Sequence, residues 1–279
     1  MTKAKAPKSK PAKTKLPKLI TSRRLAVESW RAYRTDWKAY LKILAVVAVP
    51  INLLTLIITD PMANSYTSFA AIIMNLAVIW AIVQRHQTGR VPKIAQAYYE
   101  GTASFVRYTL TTLALVIMLL PAAFAAALYV TGLAAEAAIG ISGPEMALLG
   151  LVALIIASPS FFLLIRYGFS PIAVVHDDLR PMSALRRARF YTLGRFWPVA
   201  GRLVMLGLFL IAVSVPASLI TLGLSQFKLG PVPGLFFSIV GTLTALPLAN
   251  LYIIRLYRDL QKHFTDANEA KEPVKEAQE

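Results

Sequence analysis

Residues 108–135 read YTLTTLALVIMLLPAAFAAALYVTGLAA, an unbroken uncharged run between Arg107 and Glu136. A helix needs about 20 apolar residues to cross a hydrocarbon core of about 30 Å. Inside that core only a segment that closes its own backbone hydrogen bonds is stable. The stretch therefore predicts a membrane-crossing helix over about 108–130. Five further uncharged runs flank it, at 43–59, 61–84, 146–165, 203–227 and 229–254, and each has spanning length. The expected fold is all-α and polytopic, with six transmembrane helices at about 43–59, 66–84, 108–130, 146–165, 203–224 and 234–254, arranged as three helical hairpins. Composition agrees: 56% of the 279 residues are hydrophobic and 16% charged, against about a quarter charged in soluble domains. A soluble enzyme, a secreted disulfide scaffold and a fibrous protein are excluded. With no cysteine in the chain, thiolate nucleophiles and thiolate metal sites are excluded as well.

Orientation follows from Lys and Arg, which are retained on the cytoplasmic side of short loops. Thirteen fall in residues 1–42, four in 84–107, seven in 166–202 and five from Arg255 onward, leaving only Lys228 on the other side. This asymmetry predicts a multi-pass protein of the cytoplasmic (inner) membrane with N and C termini both cytoplasmic. The first apolar run begins at Ile43 behind a long basic region, too far in for a cleaved signal peptide, so 43–59 is read as a retained span. Residues 1–20 combine seven Lys with three Pro and cannot bury enough surface to offset their ordering entropy. The expected organisation is a disordered basic arm over 1–20, a six-span membrane domain over 21–263 and a charged C-terminal tail over 264–279. The arm either touches anionic head groups or serves only to fix orientation; nucleic acid is not the expected partner.

From Thr21, Ala26, Trp30, Tyr33, Trp37 and Tyr40 recur at helical spacing with Arg24, Arg31, Arg34 and Lys38 between them. This pattern predicts an amphipathic helix at the cytoplasmic interface. Similar interfacial helices are expected over 92–107, with Ile94, Tyr98 and Phe105 on one side, and from Pro181 to Trp197. Each hairpin would then be an interfacial helix, an outgoing span and a returning span that ends on an arginine: Arg85, Arg166 and Arg255. Hairpins packed about a common axis bring these three guanidinium groups together, and like charges repel unless an anion lies between them. Guanidinium holds phosphate in a bidentate fork. A phospholipid phosphate is therefore expected at Arg85, Arg166 and Arg255, with Arg186, Arg187 and Arg189 on the adjoining interfacial helix. Membrane lipids are the expected partners, with other membrane proteins as further candidates.

No Asp, Glu, Lys, Arg or His lies within the six expected spans, which argues against proton relays and carboxylate cation sites. The polar residues inside them, Asn52, Asn75, Ser158, Ser160, Thr242, Thr244 and Asn250, are of the kind that hydrogen-bond between helices. Pro50, Pro121, Pro159, Pro216 and Pro247 predict kinks whose freed backbone groups are met by neighbouring helices. Phosphate-loop, GxSxG and HExxH signatures are absent. His86, His176 and His263 follow returning spans, with Asp177, Asp178 and Asp259 near two of them. Their unequal offsets from the inner-end arginines assign no metal site, and no cofactor is expected.

The segment Ala184-Leu185-Arg186-Arg187-Ala188 followed by Gly194-Arg195-Phe196-Trp197, leading into a long apolar helix, resembles the motif of a large group of six-helix bacterial membrane proteins. The group includes the membrane domain attached to some glycerophosphoryl diester phosphodiesterases. Ala188 stands where a serine is common in that group, and the basic arm is not part of its pattern. The resemblance implies a membrane module without catalytic chemistry, linked to envelope or lipid metabolism. The expected function is thus a non-enzymatic integral membrane module in envelope or lipid organisation, or an accessory subunit. The alternatives are a transporter or channel for a neutral or amphipathic solute, and a lipid-modifying enzyme using His176, Asp177 and Asp178.

Overall fold

A computed structural model describes residues 19–57, 62–139, 143–225 and 232–269. Residues 1–18 of the expected arm over 1–20 and residues 270–279 of the expected tail over 264–279 lie outside the described residues. The rest is α-helical: α1 Ser22–Ile57, α2 Met62–Thr88, α3 Ile94–Thr102, α4 Phe105–Ile139, α5 Gly143–Tyr167, α6 Ser170–His176, α7 Pro181–Thr192, α8 Phe196–Ser225 and α9 Val232–Glu269. Among the described residues five helices are long and apolar enough to cross a membrane. A sixth follows if α7 and α8, which meet at 105°, form one broken span.

The boundaries differ from expectation at both ends of the chain. The basic amphipathic segment and the first span form one continuous helix, because nothing between Ser22 and Lys42 is a Gly or Pro that would break the hydrogen-bond ladder. Likewise α9 continues past Arg255 and through residue 264 to Glu269. At 1.5 Å per residue, α1 and α9 are about 54 and 57 Å long, well beyond the hydrocarbon thickness. They pack against each other and against α2, beside Arg85 and Arg255.

Packing is uneven as a result. Leu25, Tyr40, Ile43, Leu44, Phe169 and Tyr257 are fully buried at or near the basic end. By contrast α4 and α5 pack chiefly on one another, and Ile117, Phe124, Leu154 and Ile155 are exposed along them. The expected proline kinks bear on this hairpin. Pro121 has no N–H and its ring disturbs the helical ladder; the adjacent Ala122 N–H donates across to Ser160 Oγ of α5 at 3.1 Å.

Two connections are set by glycine. Gly101 lets α3 lie on α2, since a Cβ there would stand 3.1 Å from Ala77 Cα. Tyr98 of α3 then donates its hydroxyl to the Ile43 carbonyl at 2.6 Å. At the α7–α8 elbow Gly194 has φ +74°, a left-handed conformation that side chains with a Cβ resist. The Arg195 N–H closes that turn on the Thr192 carbonyl at 3.1 Å.

Candidate functional site

Two clusters of ionisable groups form at the basic end. The first forms where α1, α2 and α9 meet. Glu28, Ala32, Asp36 and Tyr40 recur every four residues on α1, so they share one face. Asp36 accepts from Arg85 Nε at 2.7 Å, while Glu28 accepts from Arg255 Nη1 at 3.3 Å and from Arg24 Nε at 2.8 Å. A cavity of about 230 Å³ lies among Asp36, Tyr40, Arg85, His86, Leu251 and Arg255. Two of the three span-ending arginines therefore do come together, and the third does not. Arg166 lies apart, its guanidinium 5.6 Å from the centre of the Phe162 ring.

The expectation that only a lipid phosphate would neutralise these arginines meets a correction here. Glu28 and Asp36 of α1 supply that charge to Arg255 and Arg85. The four-residue row on α1 was the available signal, but it gains meaning only once α1 is placed against α2 and α9.

The second cluster joins α6, α7 and α9. Asp177 accepts from the Tyr257 hydroxyl at 2.6 Å and lies 2.6 Å from His176 Nδ1. Arg187 Nε donates to the Tyr191 hydroxyl at 2.9 Å and stands 3.7 Å from Asp177. Burial alone would push the Asp177 carboxyl up. The hydrogen bonds from His176 and Tyr257 and the nearby positive charges outweigh that and hold it below its ordinary 3.8. Phe169, His176 and Tyr191 pack their rings around Tyr257. Asp178, at φ +50°, turns away to an exposed pair with Arg107 at 2.6 Å.

His176, Asp177 and Asp178 thus do not converge on one open site. His263 pairs instead with Asp259 at 3.3 Å, whose other oxygen accepts the Ile20 N–H. Among the described residues no group of three or more His, Asp or Glu side chains could hold a metal ion.

The remaining expected site residues lie on α7. Ala184, Leu185, Ala188, Tyr191 and Thr192 form its buried face. Arg186 and Arg189 are exposed and form no ion pair among the described residues, beside the exposed side chains of Met182 and Phe190. Thr192 ties the end of α7 to α5 through the Arg166 carbonyl at 3.3 Å. The motif from Ala184 to Trp197 is accordingly a structural elbow: Ala184 and Ala188 within the buried face, a glycine at the bend, and Arg195 buried beneath it.

Within the apolar layer, Asn250 Nδ2 donates to Asn75 Oδ1 at 2.7 Å and Asn75 Nδ2 to the Tyr108 hydroxyl at 2.7 Å, which links α9, α2 and α4. Ser158 and Thr244 bond only to carbonyls of their own helices.

No family model, curated protein or solved structure matches this chain. Its helices and their hydropathy define the class: an integral, multi-pass helical membrane protein.

Proposed function

We propose that the chain is a non-enzymatic membrane module that holds anionic phospholipid at the cytoplasmic face of the inner membrane, in envelope or lipid organisation or as an accessory subunit. The observation that carries this reading is α7. It is an amphipathic helix at 105° to α8, its buried face is Ala184, Leu185, Ala188, Tyr191 and Thr192, and its outer face presents Arg186 and Arg189 beside Met182 and Phe190. A helix of this kind lies in the head-group layer with its cations on phosphate and its apolar tips among the upper acyl carbons. The engagement of Asp36, Asp177, Asp178 and Asp259 in ion pairs supports a holding role over a catalytic one. The resemblance of the 184–197 elbow to the membrane domain attached to some glycerophosphoryl diester phosphodiesterases supports the same reading. The distribution of Lys and Arg supports a cytoplasmic position for both termini.

The test is mass spectrometry of lipid copurified with the chain and with an Arg186→Gln/Arg189→Gln variant. The proposal expects anionic lipid to fall in the variant while neutral lipid is unchanged. Equal anionic lipid in both would remove α7 as the contact.

A further inference from the structure

The structure carries a second lipid-sized feature, lined by α1, α8 and α9 and using none of the arginines assigned above. Between α1, α8 and α9 runs an apolar groove. One hollow of about 270 Å³ is lined by Ala26, Ser29, Trp30, Leu206, Phe209 and Leu248. A second, of about 430 Å³, adjoins it through Trp30, Phe209 and Leu248 and extends past Tyr33 to Thr244. Trp30 and Phe209 are 50% and 41% exposed, so the groove opens to the surroundings of the bundle. In a membrane-spanning protein those surroundings are lipid.

Two features point to a glycerophospholipid rather than to loose solvation by any hydrocarbon chain. The first is Ser29, which lines the groove, is 1% exposed, and has a hydroxyl with no hydrogen-bond partner. A helical serine ordinarily bonds back to a carbonyl of the preceding turn. This one does not, and an unmet hydroxyl in an apolar setting is costly. A lipid ester carbonyl is an acceptor that would meet it.

The second is the charge at the arginine-bearing end of the groove. Arg23 lies three and four residues before Ala26 and Val27, hence on the same helical face, and is exposed. On α8, Arg202 precedes Met205 by three residues, its guanidinium anchored on the Ile20 and Pro198 carbonyls. Neither forms an ion pair with a carboxylate among the described residues. The neighbouring Glu28 is engaged by Arg24 and Arg255. From Arg23 to Ser29 is six residues, about 9 Å along the helix. Cation, hydroxyl and apolar trough therefore follow one another in the order of phosphate, glycerol ester and acyl chain.

We infer that this groove binds an anionic glycerophospholipid from the leaflet at the basic end, with its phosphate at Arg23 and Arg202, an ester carbonyl on the Ser29 hydroxyl, and one acyl chain along Trp30, Phe209 and Leu248. The inference rests on reading the chain as a lipid-holding membrane module, and it names a place and a ligand for that role distinct from α7.

Trp30 makes the site directly observable. The full chain carrying Trp37→Phe, Trp80→Phe and Trp197→Phe retains Trp30 alone. It is reconstituted in vesicles containing either phosphatidylglycerol or phosphatidylcholine with brominated acyl chains at equal mole fraction, and Trp30 quenching is read. The expected result is stronger quenching by the brominated anionic lipid. Arg23→Gln should reduce that preference about fivefold, the weight of one basic residue at an anionic surface, and leave quenching by the neutral lipid unchanged. Filling the groove with Ala26→Phe should abolish the preference; Ala245→Phe, in the adjoining hollow, serves if the first variant does not fold. Equal quenching by the two lipids in the parent chain overturns the inference, as does a preference that survives both Arg23→Gln and the filled groove. Arg186→Gln/Arg189→Gln should leave Trp30 quenching untouched, so failure here and failure of the α7 reading register separately.

Discussion

The α4–α5 hairpin and the α6–α7–α9 cluster are both helical and both rich in apolar residues, yet different forces hold them. In the hairpin, large side chains such as Phe124 and Leu154 point outward at 60% and 63% exposure, and surrounding lipid is as apolar as they are. Association there rests on close packing and on the few polar groups that cross between helices, such as the Ser160 hydroxyl on the Ala122 N–H. In the cluster, Phe169 and Tyr257 are fully buried against each other, and Asp177 accepts the Tyr257 hydroxyl. Apolar burial there works as in a soluble core, and each polar group depends on its partner. One hydropathy profile therefore covers two kinds of stability.

The largest expected effect is at Asp177. Asp177→Ala leaves the Tyr257 hydroxyl, His176 and Arg187 without their shared acceptor, and should cost about 3 kcal/mol, read as a lowered Tm in detergent or lipid nanodiscs. Acid separates the charge effect from packing. The folded carboxyl titrates below its ordinary 3.8, so the stability it contributes is complete above that value and is lost as pH falls from there through the depressed folded value. Tm of the parent chain should fall across that window more steeply than Tm of Asp177→Asn. Parallel curves would show that Asp177 acts by shape alone.

A smaller effect is expected where the hairpin is bonded. Ser160→Ala removes the partner of the Ala122 N–H beside Pro121 and should cost about 1 kcal/mol, whereas Ser158→Ala, whose hydroxyl bonds only within α5, should be near neutral. The smallest concerns the lipid-facing surface: Leu154→Ala should change Tm by less than about 0.5 kcal/mol equivalent in a bilayer. A loss at Leu154 as large as that at Asp177 would break the distinction between the two regions and place α5 against another protein surface.

Much of this was readable from the chain itself, and the exceptions share a cause. The α4 and α5 spans follow from uncharged length, because transfer into hydrocarbon depends on composition and hardly on partners. The α7–α8 elbow was marked by Pro181 and Gly194. What escaped was the pairing of Glu28 with Arg255 and of Asp36 with Arg85, residues far apart in sequence. The basic half of α1, read as an interfacial helix of cations facing phosphate, carries those two acids on the face that packs inward. The stretch between Arg166 and His176, for which no helix was expected, contains α6 and the buried Phe169, Ile172, Ala173 and Val174.

By itself the sequence determined the membrane-spanning helical class, since that depends on local length and hydropathy. Only the tertiary structure decided which arginines are neutralised from within, which remain exposed on α7, and where Ser29 and Trp30 border an open groove. Those outcomes depend on which helix faces which neighbour. That is settled by packing among α1, α2, α8 and α9 across more than two hundred residues of chain, and no local spacing encodes it.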